Sequence, residues 1–592
     1  MGMKLMEEIR KNHNRIIALI FAVLMCCIIS VFFDYYFDLN DDVFMKDILA
    51  GVYTGAPNGR NIQMLFPISW FISLFYHIPG NISWYGLFLC GCQFFSIYIV
   101  TVRLLGFFNK LWTKVIIILV EGTLIVTLFL YEIVFIQYTV TGTMLAAAAA
   151  FLFYTSKCDV RPLTFFRNNI ISIVLVILAY QIRTEMLLLV FPLICVTGLC
   201  KWASEKVIFT KENAGKYFSV FGVILLGMIL SEVVNMAAYS QPTWQRFNSY
   251  FDSRTKLYDF YETPPYEGNE DFYESIGLSR SEVTLLHNYN FGLDEKIDEK
   301  ILAQISDYAA KLKAETTTFM GAFKKAVSDY RYRTFYETDY PMNLLVIILY
   351  VVVLLTALLN KHFRILWELP LLGFVRTGLW IFILYTNRYP NRITHSLYLM
   401  EIVILVALLL MELMVQNKQN RILSSVITVF CGVFSLLCIS NSISKVHTEY
   451  ENRESVNQDL YALQVYARAN SENFYFWDVY SSVKYSEKMF VNVNNSISNY
   501  DIMGGWVCKS PLMQEKYQQY GIQSMEDGLL NQDHVFYVVQ SPEPEGSYPL
   551  SKDWLPAYYR DIGKEIELIK TDNIRTINGE VFTVYKLQMV SE

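Results

Sequence analysis

The chain has 592 residues, of which 54% are hydrophobic, 16% aromatic and only 18% charged. A soluble protein carries about 25% charge, so this composition excludes an ordinary soluble domain and implies a polytopic α-helical membrane protein. The net charge of −6 argues against a nucleic-acid partner. Nine of the ten cysteines fall in apolar runs or near their cytoplasmic ends, which leaves Cys508 alone in the polar outer regions, with no internal disulfide to form and no zinc-ligand spacing.

In chain order, Lys4, Arg10, Lys11 and Arg15 precede a first apolar run, Ile16 to Phe33. No small-residue cleavage site follows it, so it reads as an uncleaved first span. Further apolar windows fall at about 83–103, 115–131, 140–155, 168–182, 186–200, 217–235, 342–359, 366–384, 395–415 and 422–440, giving eleven spans. With the N-terminus cytoplasmic, the inner segments hold 18 Lys and Arg. The short outer loops hold five, namely Lys46, Arg60, Arg183, Arg388 and Arg392. That asymmetry follows the positive-inside rule and predicts a plasma-membrane protein with an extracytoplasmic C-terminus. Counting Ile62 to Ile78 as a span would invert the charge pattern, so 62–78 is expected to be an interfacial or re-entrant helix of the first outer loop, 34–82. The run Ala146–Ala150 reads as a close helix-packing face.

Two long polar stretches fall outside. Residues 236–341 read as short helices, one opened by the capping box Ser279-Arg280-Ser281-Glu282 and another over about 294–314. Residues 441–592 form a soluble α/β domain beside the transmembrane domain 1–440. In it Phe474–Trp477 and Val535–Val539 read as strands, and Ile574–Tyr585 as a hairpin on an Asn-Gly turn.

Polar residues then gather at one face of the membrane. Asp41, Asp42 and Asp47 follow the first span; Arg183 and Glu185 occupy a tight outer turn; Arg388, Arg392 and His395 lie between spans nine and ten; Arg246 and Arg254 begin the large outer loop. Each has a plainer reading. Such arginines serve as snorkelling anchors, an Asp pair caps a helix, and Glu121, Arg376 and Glu401 inside spans can simply pair with one another. Together, however, they suit transfer of a sugar from a polyprenyl-phosphate donor. The acceptor hydroxyl needs a general base, which an Asp supplies, and the leaving phosphate needs arginines. No nucleotide-binding loop is required, and the sequence contains none.

The Asp41-Asp42 pair after the first span, the interfacial helix, some eleven spans and the outer C-terminal domain resemble the GT-C superfamily of membrane glycosyltransferases, in a bacterial cell-envelope setting. The resemblance implies that Asp41 or Asp42 is catalytic base or ligand to a divalent cation, Mg or Mn. For a transferase of this kind Arg183, Arg388 and Arg392 are expected to hold the donor phosphate, with Asp47, Glu185, His395 and Arg254 in supporting places. Implied partners are the bilayer, a polyprenyl-phosphate-linked sugar and an envelope glycan, lipid or protein acceptor. The Trp-Trp-Asp-type motif of oligosaccharyltransferases is missing, which argues against Asn-glycosylation. Competing expectations are a lipid or polysaccharide exporter, which Glu121 and Arg376 would favour, an oligosaccharide polymerase or ligase, and a scaffold.

Overall fold

In the computed structural model, residues 2–333, 335–414, 418–484, 486–541 and 554–590 are described. Among them are ten helices long and apolar enough to cross a membrane, from Lys11–Phe32 to Ile422–Ala469. An eleventh candidate is broken: Pro162–Asn168 and Ile170–Ile182 meet at a 50° bend. Helix Tyr138–Thr155 is the most enclosed, and Ala146–Ala150, all buried, let its neighbours Asn391–Leu413, Ile170–Ile182 and Trp84–Gly106 approach closely. The predicted spans match these helices, with the tenth ending at Leu413; residue 415, its predicted end, lies outside the described residues.

The three polar stretches meet in one cap. Met489 N–H donates to Tyr35 O at 2.7 Å, and Gly292 N–H donates to Met503 O at 2.9 Å. The chain leaves this cap at Trp84 and returns at Ala238, so it must cross the helical layer an even number of times. Five straight helices lie between those points, and the bent pair supplies the sixth crossing. That parity agrees with the count of eleven.

A three-stranded ribbon ties the cap together: β1 (Tyr36–Phe37) runs parallel to β2 (Phe135–Ile136) and antiparallel to β4 (Glu487–Lys488). The C-terminal sheet has the order β5-β3-β6-β8-β7, with β3 at Phe474–Trp477, β5 at Tyr500–Ile502, β6 at Val535–Gln540, β7 at Ile566–Arg575 and β8 at Val581–Met589. Strands β5, β3 and β6 are parallel, while β6, β8 and β7 are antiparallel. The expected strands and hairpin are present, and the hairpin turns at Gly579 with φ +88°. The chain passes the expected domain boundary at 440/441 without a break: helix Lys418–Ala469 runs 52 residues from the last span into the C-terminal domain.

The interfacial segment is shorter than expected. Helix Phe66–Phe75 carries Pro67 in its first turn, where no intrahelical N–H bond is lost. It buries Ile68, Ser69, Ile72 and Ser73 and exposes Trp70, Phe71, Leu74 and Phe75. The predicted capping box at Ser279 forms. The helix expected over 294–314 starts at Glu299, because Asp298 caps it. One part of the polar stretch 236–341 reaches below the cap. Helix Phe319–Arg333 lies against the span Ile365–Tyr385, with Tyr330 Oη 3.1 Å from Thr377 Oγ1 and accepting from Arg376.

Candidate active site

Helix Asn40–Ala50 follows the first span and the short strand β1. Asp41 and Asp42 occupy its first turn, where carboxylates favour the positive end of the helix dipole. Gly51, at φ +81°, ends it in the left-handed conformation, and a side chain there would strike the Ala56–Pro57 backbone. Val43, Met45, Ile48 and Leu49 fasten the helix to the core.

Adjacent residues on a helix point about 100° apart, and here that separates the aspartates into different environments. Asp42 is fully buried. Its Oδ1 accepts from Tyr85 Oη at 3.0 Å and from Tyr138 N–H at 3.3 Å, while Oδ2 is buried with no partner. Burial, added to by the charge of Asp41, pushes the Asp42 carboxyl well above the ordinary carboxylate range. Asp41 instead lines a cavity of about 390 Å³ and, among the described residues, forms no side-chain hydrogen bond or ion pair.

Three parts of the chain wall this cavity. Asn40, Asp41, Phe44 and Tyr53 come from the first loop; Arg254 and Tyr289 come from the large polar stretch; the rest belongs to the C-terminal domain. That last wall, Val479–Val483 and Asp501–Cys508, lies at the carboxyl ends of parallel strands β3 and β5, where open α/β sheets present their ligand crevice. Gly504 lets the loop after β5 touch the neighbouring stretch, since a Cβ there would collide with the Tyr289 carbonyl oxygen. Asp501 is buried and accepts from Tyr53 Oη at 2.8 Å; burial raises its carboxyl, against the pull of the Lys516 charge. Arg254 rests over the Tyr258 and Phe291 rings at 5.5 and 6.0 Å, and its Nε is buried without an acceptor.

None of the expected phosphate-binding arginines lines this cavity. Arg183 sits over the Tyr138 ring at 5.1 Å, donates from Nη1 to Gln63 Oε1 at 2.9 Å, and has Nε 3.2 Å from Glu185 Oε2. Burial works against the Arg183 charge, but the fields of Tyr138, Glu185, Asp41 and Asp259 outweigh it and hold its pKa above the ordinary value. Arg388 pairs with Asp259 at 2.5 Å. Asp259 lies in the π-helical turn Lys256–Phe260 that continues from Arg254, so one short segment joins the cavity to the arginines. Arg392 makes no hydrogen bond or ion pair among the described residues, yet its charge is felt at Asp38. Burial raises the Asp38 carboxyl, against Arg453 at 2.7 Å and Arg392.

The remaining expected residues hold structure around the site. Asp47 lies 2.8 Å from Lys46 Nζ, which also pairs with Glu487 of β4, so this triad clamps the C-terminal domain to the first loop. His395 Nδ1 meets Glu132 Oε1 at 2.5 Å, and its Nε2 meets the Thr338 carbonyl at 3.1 Å. Arg246 is exposed and does not line the cavity. Within the spans, Arg376 pairs with Glu401 at 2.8 Å, and Glu121 accepts from Thr101 Oγ1 at 2.8 Å.

The sequence reading missed Tyr85, Tyr138, Asp259 and the Asp501–Cys508 loop. The first three are single residues in apolar or mixed stretches with no local pattern. The fourth had one: Gly504-Gly505 directly after a short β-type run. Among the described residues, no group of three or more His, Cys, Asp and Glu is arranged to hold a metal ion. At the expected position Asp41 alone lines the cavity, while Asp42 is buried and bonded to Tyr85 and Tyr138.

Fold and cavity together define a polytopic helical protein whose polar cap joins a mixed-sheet domain to the helical bundle. No family model, curated protein or solved structure matches this chain.

Proposed function

We propose that the chain is a plasma-membrane glycosyltransferase of the GT-C kind, using a polyprenyl-phosphate-linked sugar on the extracytoplasmic face. Asp41 is the general base. It takes the proton of an acceptor hydroxyl in the cavity, the hydroxyl oxygen attacks the anomeric carbon, and the bond from that carbon to the phosphate oxygen breaks. Arg183, Arg388 and Arg392 hold the departing phosphate, and Asp42 anchors the helix that presents Asp41. The cap is assigned to the outside by the positive-inside pattern of the loops.

One observation carries the reading. Asp41 lines the cavity without a bonded partner, while its charge is felt by Arg183, a residue from a different pair of spans. A base must face its hydroxyl unengaged and lie beside the group that stabilises the leaving charge.

The test is release of polyprenyl phosphate from a panel of synthetic polyprenyl-phosphate hexoses by the full chain in lipid nanodiscs, with an envelope extract as acceptor. The wild type releases it from at least one donor, and Asp41→Asn, present at the same level, does not. Full release by Asp41→Asn overturns the proposal.

The exporter reading draws on a second cavity of about 550 Å³ among the spans, apolar except for Ser96, Glu121 and a few hydroxyls. It lies away from the cap, between residues such as Phe108, Thr113, Leu413 and Ser424. Its other expected mark, Arg376, is bound to Glu401 and Tyr330.

A further inference from the structure

The cap cavity contains an unspent positive charge. Arg254 lines it together with Asp41, yet the two form no ion pair, and among the described residues Arg254 has no carboxylate partner at all. Its Nε is shut away from solvent with nothing to accept from it. A buried guanidinium donor left unmade costs free energy of about 1–3 kcal/mol or more, and other cations of this cap are matched by carboxylates, Arg453 by Asp38, Lys46 by Asp47 and Glu487, Arg388 by Asp259, or, like Lys516, by hydroxyl and carbonyl oxygens. The rings of Tyr258 and Phe291 hold the Arg254 side chain in place without satisfying its donors.

The surroundings describe what would satisfy it. The cavity volume falls in the range of small-molecule sites, about 300–1,000 Å³. Tyr480 and Trp506 supply aromatic surface, and Asn40 and Asp41 supply groups that bond hydroxyls. A planar guanidinium matches a carboxylate or phosphate with paired N–H donors. From these features we infer that the acceptor bound in the cap cavity is an acidic sugar, a hydroxylated ring bearing a carboxylate or phosphate, and that Arg254 is the residue that reads its charge. The choice of a sugar rests on the proposed glycosyltransferase activity; the choice of an anion rests on Arg254 alone.

The experiment titrates the full chain in nanodiscs with three probes: methyl β-glucuronide, methyl β-glucoside and inorganic phosphate. The wild type binds the glucuronide at least about tenfold more tightly than the glucoside, the scale of one charge-assisted hydrogen bond. Arg254→Gln, which keeps a polar side chain over the same rings, abolishes that difference by weakening glucuronide alone. Arg254→Lys keeps part of it, because it keeps the charge and loses the paired donors. Equal binding of glucuronide and glucoside by the wild type, no measurable binding of glucuronide, or a preference that survives in Arg254→Gln overturns the inference. Phosphate binding as tightly as glucuronide also overturns it, since the cation would then read a free anion and not a sugar. Unchanged glucoside binding shows that Arg254→Gln retains the cavity. Asp41→Asn keeps the glucuronide preference while losing polyprenyl-phosphate release, so failure of the charge reading and failure of the transfer reading give different results.

Discussion

Two populations of charge coexist in this molecule, and they differ in whether they are matched. In the spans and the clamp between domains, several charges have an opposite partner: Arg376 with Glu401, Arg333 with Asp339 at 2.8 Å, Lys46 with Asp47 and Glu487, Arg453 with Asp38. Asp41 and Arg254 at the cap cavity, and Arg392 outside its lining, stand without such partners among the described residues. An ion pair inside a protein is internally neutral and serves to hold elements in place. Charges kept apart at the wall of a cavity have capacity left for a ligand. Pairing therefore sorts the ionisable residues better than burial does, since Asp42 is more buried than Asp41 but already engaged.

The comparison breaks most sharply at Asp41. Removing a general base costs about 10²–10⁴-fold in rate, so Asp41→Asn should lower polyprenyl-phosphate release by that factor. Its melting temperature should stay near that of the wild type, because no bond of Asp41 to the protein is lost. A comparable loss of stability together with activity would place Asp41 among the matched charges.

The opposite result is expected in the spans. Arg376→Met leaves Glu401 buried without its cation, a change that costs about 3–5 kcal/mol when one partner of a buried pair is removed. Thermal unfolding in detergent should show the loss, and adding Glu401→Leu to Arg376→Met should restore more than half of it. Failure of the double variant to recover would mean that Arg376 acts by itself, as an exporter's binding site would require. Arg392→Gln should fall between these cases: a reduction of about tenfold or more in release, the scale of a lost charge-assisted contact, with unchanged melting.

How much of this was legible in the sequence follows from the range of the forces involved. Spans depend on the local density of apolar residues, so all eleven windows match helices, and the one that is broken, 168–182, was among the shortest. The interfacial helix was legible because Pro67 and Trp70 are local signals. The cap was not. Its cavity needs Asn40, Arg254 and the loop after β5 to meet, and no local pattern relates positions more than 200 residues apart. Of the residues expected at one membrane face, Asp41 and Arg254 line the cavity, because parity alone places loop residues on the same side. Which aspartate faces the cavity depends on the rotation of helix Asn40–Ala50, and that is set by Tyr85 and Tyr138, two residues with no sequence mark.

That rotation can be tested through its titration. Burial holds the Asp42 carboxyl above its ordinary value, whereas the unfolded chain sheds this proton near pH 4. Between the two values the folded protein keeps a proton that the unfolded chain has lost, so this residue makes stability fall as pH rises through the window. Asn at 42 is uncharged at every pH and keeps an oxygen for the Tyr85 hydroxyl and the Tyr138 N–H. Melting of Asp42→Asn minus melting of the wild type should therefore increase from pH 4 upward, while release of polyprenyl phosphate stays within about tenfold of the wild type, less than the loss expected for a base. A difference that is flat with pH, joined to a loss of release as large as that of Asp41→Asn, would exchange the two aspartates and turn the buried one toward the chemistry.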